Sequence, residues 1–128
     1  VFMSKGCADA WSPKVIRAAM GVHFALHIYE QQNLIDVAKL FCEPPLYDSS
    51  TGTLLATSLQ ATHSLYDCDL TGKIALMMGN EGSGLPDGLL AYATQKITIP
   101  MPGKIESLNV AAATAICLFE IVRQRYQQ

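Results

Sequence analysis

The chain reads as an α/β protein built on a mostly parallel sheet with helices on both faces. Three observations predict this. Strand-like and helix-like segments alternate from one end to the other, and such alternation produces crossover connections and hence parallel pairing. The run Lys73–Gly79, "KIALMMG", is apolar on both faces, the pattern of a central parallel strand covered on two sides. Loops rich in glycine and proline follow two of the strand-like segments, where open α/β sheets carry their ligand sites.

Taken in order, Val1-Phe2-Met3 is the end of a strand. Ser12-Pro13 supplies an N-cap and a proline at the first helical position, so "KVIRAAM" is a helix that stops at Gly21. "HFALHIY" alternates His23, Ala25, His27 and Tyr29 against Phe24, Leu26 and Ile28, a period of two that predicts a strand. "NLIDVAKLF" places Leu34, Ile35, Ala38 and Phe41 on one helical face, and Pro44-Pro45 ends that helix. "GTLLATSL" is a strand, a polar stretch follows, and "KIALMMG" is the next strand. "DGLLAYAT" is a helix, "KITIPM" a strand, and "LNVAAATAICLFEIVRQRYQ" a long closing helix. Right-handed crossovers then put helices on both sides of the sheet. No repeat or linker interrupts the pattern, so residues 1–128 form one domain.

Composition narrows the function. A chain of 128 residues, half of them apolar, buries a core without disulfides or metals. No apolar stretch is long enough to span a bilayer, and no secretory signal is visible. Cys7, Cys42, Cys68 and Cys117 are scattered without C-x-x-C or histidine spacing for zinc. They read as reduced thiols of a cytoplasmic protein, Cys117 as a small core residue. The net charge of −2 argues against a free-standing nucleic-acid-binding module but not against an enzyme acting on RNA.

Two loops carry candidate chemistry. In "MMGNEGSGL" the glycines stand as Gly79-x-x-Gly82-x-Gly84, which fits neither the dinucleotide fingerprint nor a P-loop. By itself this loop is a plain strand-to-helix turn or a ligand loop, with neither favoured. The second stretch runs Ile99-Pro100-Met101-Pro102-Gly103-Lys104-Ile105-Glu106-Ser107-Leu108-Asn109. Either Ser107 or Asn109 serves as N-cap of the last helix, whose small residues "VAAATA" admit another backbone close by. Other features have ordinary explanations. His23 and His27 have metalloprotease spacing, but Phe24 stands where the glutamate belongs, and partly exposed strand residues account for them. His63 has no visible partner, and no serine sits in a recognisable triad. Lys14 and Arg17 share a helix face, solvated or touching phosphate at the edge of an RNA site. Arg123 and Arg125 complement the dipole of the last helix.

The pair "LMMGNEGSGL" and "ITIPMPGKIESLNVAAATAICLFEIVRQR" strongly resembles the second and third motifs of the SPOUT-class, TrmH/SpoU-like RNA 2′-O-ribose methyltransferases. "GCADAWSPKVIRAAMGVHF" resembles the segment those enzymes carry before them, and "LATSLQATHSLYDCDL" their intervening strand and loop. The similarity covers nearly the whole chain. It implies a domain whose C-terminal part forms a trefoil knot, working as a homodimer, with no metal. It implies S-adenosylmethionine as methyl donor and structured RNA as partner, ribosomal RNA ahead of transfer RNA. By the same match Gly79, Ile99 and Leu108 lie against the cofactor with Asn80 and Met101 nearby, the glycines clearing room for it. Glu81, Ser107 and Asn109 become active-site residues that position ribose and cofactor. Asn109 also braces the loop. Glu81 either takes a proton or fixes the loop through hydrogen bonds, and the second role is favoured because a carboxylate is a weak base for a hydroxyl.

One family feature has no counterpart. An upstream Asn and Gly followed by an Arg, whose guanidinium helps activate the ribose hydroxyl, is not matched, and Arg17 belongs to a different segment. The chain is therefore expected to lack the first strand–helix unit of the domain, as a fragment of a longer methyltransferase. The competing expectations are a knotted dimerisation or RNA-scaffold domain without catalysis, and a flavodoxin-like nucleotide-binding domain.

Overall fold

The computed structural model describes residues 1–43, 51–103 and 107–127. The Pro44-Pro45 helix stop and Lys104–Glu106 of the second loop lie outside the described residues. The chain divides into two compact units, Val1–Val37 and Ala38–Gln128.

In the first unit, β1 (Phe2–Ser4) pairs in parallel with β2 (Tyr29–Gln32), beginning with Phe2 opposite Tyr29. Their rings stack with centroids 4.9 Å apart. Between the strands runs α1 (Pro13–Ala19). The Ser12 hydroxyl accepts the Val15 N–H at 3.4 Å and Pro13 sits in the first turn, as the Ser-Pro pair predicts. Met20 closes the helix with φ of +49°, and Gly21 continues the reversal at +85°.

The predicted strand "HFALHIY" is a correction. Val22–Phe24 forms a 3₁₀ turn, and strand geometry begins only at Tyr29. His23 is therefore not a partly exposed strand residue. It is buried, with Nε2 2.6 Å from the Ala10 carbonyl oxygen. The alternation mimicked a strand, but the buried carbonyl of Ala10 claims His23, and β1 offers pairing only from Phe2.

Helix α2 (Leu34–Cys42) follows the predicted apolar spacing and runs across the unit boundary. The second unit holds a four-stranded sheet ordered β4-β6-β3-β5, every pairing parallel. Its strands are β3 (Thr53–Thr57), β4 (His63–Ser64), β5 (Ile74–Met77) and β6 (Gln95–Thr98). The prediction of a mostly parallel sheet with interleaved helices holds. The position of β5 does not: among the described residues this apolar strand is at an edge, and β3 and β6 are central. An apolar pattern on both faces reports cover above and below a strand, not a neighbour on each side.

Helix α3 is short, Asp87–Leu90, and continues as tight turns from Tyr92 to Leu89 and Ala93 to Leu90. The helical pattern of "DGLLAYAT" is cut off because Thr94, just before β6, is already bonded to β3. Its N–H donates to the Leu54 carbonyl at 2.9 Å, and its hydroxyl accepts the Leu54 N–H at 3.1 Å. Helix α4 (Val110–Tyr126) packs Cys117 and Ile121 into a core with Leu55, Leu65, Leu70 and Ile97. Those four aliphatic side chains are fully buried, each stabilising by roughly 1.5–3 kcal/mol. Cys117 is fully buried too, as its place in an apolar helix predicts, and burial pushes its thiol pKa up.

Candidate functional site

Because the strands of the second unit are parallel, the loops leaving their carboxyl ends gather on one side. Three of them enclose a cavity of about 470 Å³, within the range of small-molecule sites. The loop after β5 supplies Met78–Leu85. The loop after β6 supplies Ile99, Met101, Ser107 and Leu108. The loop after β3 supplies Thr57–Gln60.

Of the eight site residues the sequence suggests, Gly79, Asn80, Glu81, Ile99, Met101, Ser107 and Leu108 all line this cavity. Asn109 joins it through a hydrogen bond: its Nδ2 donates to Glu81 Oε1 at 3.3 Å. The two loops, separated by more than twenty residues in sequence, thus meet. Asn109 Oδ1 meanwhile accepts the N–H groups of Ala111 and Ala112 at 2.9 and 3.3 Å. This resolves the N-cap of α4 in favour of Asn109, and leaves Ser107 exposed at the cavity.

The loop after β5 is closed by its own backbone. Asn80 and Gly84 exchange N–H···O bonds of 3.0 and 2.9 Å, and Gly84 takes φ of +66°. Asn80 Oδ1 accepts from the N–H of Gly82 at 2.8 Å and of Ser83 at 3.3 Å. At Gly79 a Cβ would run into the carbonyl carbon of Gly84 and come within 2.6 Å of the Leu85 nitrogen. Glycine is needed there because the loop folds back over it. The space a side chain would fill is taken by the loop itself.

The contribution of the β3 loop was not legible in the sequence. "GTLLATSL" extends the strand to Leu59, but β3 ends at Thr57, and Ser58 and Leu59 turn into the cavity wall. Ser58 N–H donates to the Ile97 carbonyl at 2.9 Å, while the Thr57 hydroxyl bonds the Met77 carbonyl at 3.4 Å and the Met78 sulfur at 3.7 Å. These bonds lie across the sheet, which no local pattern reports. Among the described residues no group of His, Cys, Asp and Glu is arranged to hold a metal ion, and no helix is long and apolar enough to cross a membrane.

The cavity can do a definite kind of chemistry. Ile99, Leu85 and Leu108 offer apolar surface, while Ser107, Glu81 and Asn109 place polar groups beside it. That suits a ligand with a flat apolar ring and a polar reacting end.

Comparison with known proteins agrees with this geometry. Residues 1–119 match the model of the SpoU rRNA Methylase family. The chain is 37% identical over 111 residues to the 23S rRNA (guanosine-2′-O-)-methyltransferase RlmB of Pectobacterium atrosepticum, covering 87% of this chain and 43% of that protein. It is 50% identical over 72 residues to RlmB of Pasteurella multocida, covering 56% of this chain and 29% of that protein. The chain therefore spans less than half the length of these curated relatives. Among solved structures, the SpoU methyltransferase AviRb from Streptomyces viridochromogenes in complex with AdoMet superposes with a TM-score of 0.82 at 28% identity, over 99% of this chain and 50% of that one. The AdoMet-bound rRNA methyltransferase from Sinorhizobium meliloti gives 0.78 at 31% identity, over 95% and 44% respectively.

Proposed function

Because this chain belongs to the SpoU rRNA methylase family, we propose that residues 1–128 are a methyltransferase domain. It transfers a methyl group from S-adenosylmethionine to a ribose 2′-hydroxyl of structured RNA. Ribosomal RNA in the cytoplasm is the substrate put first, since the curated relatives are 23S rRNA enzymes. The observation that carries the proposal is the meeting of the Glu81 and Ser107–Asn109 turns at one cavity.

The cavity's residues fit the cofactor. Its size and apolar lining suit an adenosine, with Ile99 and Leu108 against the ring and Gly79, Asn80 and Met101 beside it. When bound, S-adenosylmethionine supplies an electrophilic methyl group. The protein's part is to hold the ribose oxygen in line with that methyl and to exclude water. Ser107, exposed at the cavity, hydrogen-bonds the ribose. Glu81 acts as a positioning residue, because its Oε1 is already engaged by Asn109. The loops after β5 and β6 form the wall of a trefoil knot. The working form is a homodimer, supported by a stripe of exposed apolar side chains on α4: Leu118, Phe119, Val122 and Tyr126.

Calorimetric titration of the folded chain with S-adenosylhomocysteine tests the cofactor assignment. Saturable heat is expected. A folded chain that gives none overturns the assignment.

A further inference from the structure

Residues 11–28 carry a surface that combines cations with exposed apolar groups. The chain has 11 Asp and Glu residues, yet none lies between Ala10 and Tyr29, where the ionisable side chains are Lys14, Arg17, His23 and His27. Lys14, Arg17 and His27 are exposed. Among them stand large apolar groups open to solvent: Met20 is 91% exposed, Phe24 93% and Trp11 49%.

Local geometry sets these groups outward. His23 is buried and tied to the Ala10 carbonyl oxygen, which pins the Val22–Phe24 turn and leaves the next side chain, Phe24, in solvent. The turn packs against α1, which carries Lys14 and Arg17. Met20 ends α1 in the left-handed region with its thioether free. Trp11 is steadied by its Nε1–H bond to Glu30 at 3.0 Å and by the His23 ring at 5.0 Å, so half of its indole stays open on a fixed mount.

Asp9 and Glu30 flank the segment and are both engaged by Trp11, while the aromatic faces and cations of residues 11–28 complement a polyanion that offers flat apolar rings. Nucleotides outside a duplex are such a ligand, because pairing and stacking hide the base faces. A protein partner lacking matched carboxylates would leave Lys14 and Arg17 desolvated among apolar side chains without compensation.

We propose that this surface is the docking platform for an unpaired stretch of the substrate RNA. Phe24 stacks on a base, Met20 and Trp11 extend the apolar contact, and Lys14 and Arg17 take flanking phosphates. The inference rests on the RNA-directed reading above and specifies the form of RNA, single-stranded rather than paired.

Trp11 is the one tryptophan of the chain, so its emission reports on this surface. A single-stranded oligouridylate should quench it and bind more tightly than a duplex of the same length. Phe24→Ala, at an exposed position, should weaken single-strand binding about 5- to 100-fold. Replacing Lys14 and Arg17 by Gln should reduce the slope of log affinity against log salt by about 1.4. S-adenosylhomocysteine binding, measured on the same preparations, should not change in any variant. The proposal falls if the unaltered chain does not bind the single strand, prefers the duplex, or is indifferent to Phe24→Ala. It also falls if Phe24→Ala alters sedimentation and not RNA affinity, since the surface then belongs to a second copy. Retained S-adenosylhomocysteine binding in any of these cases leaves the cofactor assignment standing.

Discussion

Asn109 uses the two ends of its amide for different tasks. Its oxygen caps α4 on Ala111 and Ala112, and its nitrogen reaches Glu81 on the other loop. Removing both functions with Asn109→Ala should cost about 1 kcal/mol from the cap and also release Glu81. Asn109→Asp keeps an oxygen for the helix N-terminus but sets a carboxylate against a carboxylate. The alanine variant should therefore lose thermal stability while the aspartate variant retains it, and both should bind S-adenosylhomocysteine more weakly. Glu81→Gln introduced beside Asn109→Asp should restore binding. Equal melting temperatures for the alanine and aspartate variants would remove the capping role. That these two loops gather at one cavity was legible in the sequence, because few patterns place N-E-G-x-G-L and S-L-N after strands. How each residue is used was not. The loop folds back over Gly79, and Asn80 Oδ1 accepts from the amides of Gly82 and Ser83.

Helix α4 is where local pattern and tertiary environment part company. Its inner face buries Cys117 and Ile121, and also Glu120, a residue that composition alone places outside. Glu120 is satisfied by a two-pronged contact with Arg123, at 2.7 Å from both Nε and Nη2, and by the Gln124 amide at 2.8 Å. Its outer face carries Leu118, Phe119, Val122 and Tyr126, of which Phe119 is 73% exposed. Large apolar side chains at helical spacing without cover mark an interaction face. Phe119→Asp, at a position outside the core cluster, should convert the proposed dimer to monomer in sedimentation equilibrium without lowering the helix content. A dimer that survives this change would remove α4 from the interface. The basic residues of α4 were expected to complement its dipole alone. They also fasten the segment before β5. Arg125 donates to the Gly72 carbonyl at 2.7 Å, and Gln124 holds both the Cys68 carbonyl and the Leu70 N–H.

At the level of the whole chain, the Glu120 contacts make stability depend on acid. The hydrogen bonds from Arg123 and Gln124 hold the Glu120 carboxyl down to about 2, from an ordinary 4.5. A depressed folded value means the contribution is complete above about pH 4.5 and is lost as pH falls towards 2. The urea midpoint should therefore drop as pH falls from about 4.5 towards 2, and Glu120→Gln should flatten that drop. A midpoint that falls equally in both proteins would assign the acid sensitivity elsewhere. Alternation of strand and helix, the cap of α1, the extent of α2 and the places of the two glycine–proline loops after their strands were all determined by sequence, because each depends on residues within a few positions of one another. The edge position of β5, the burial of His23 and Glu120, the early end of α3 and the third cavity wall at Thr57–Gln60 were decided only by tertiary structure. Each depends on a partner supplied from another element, such as the Ala10 carbonyl for His23 or the Leu54 backbone for Thr94. Local periodicity carries no record of such partners.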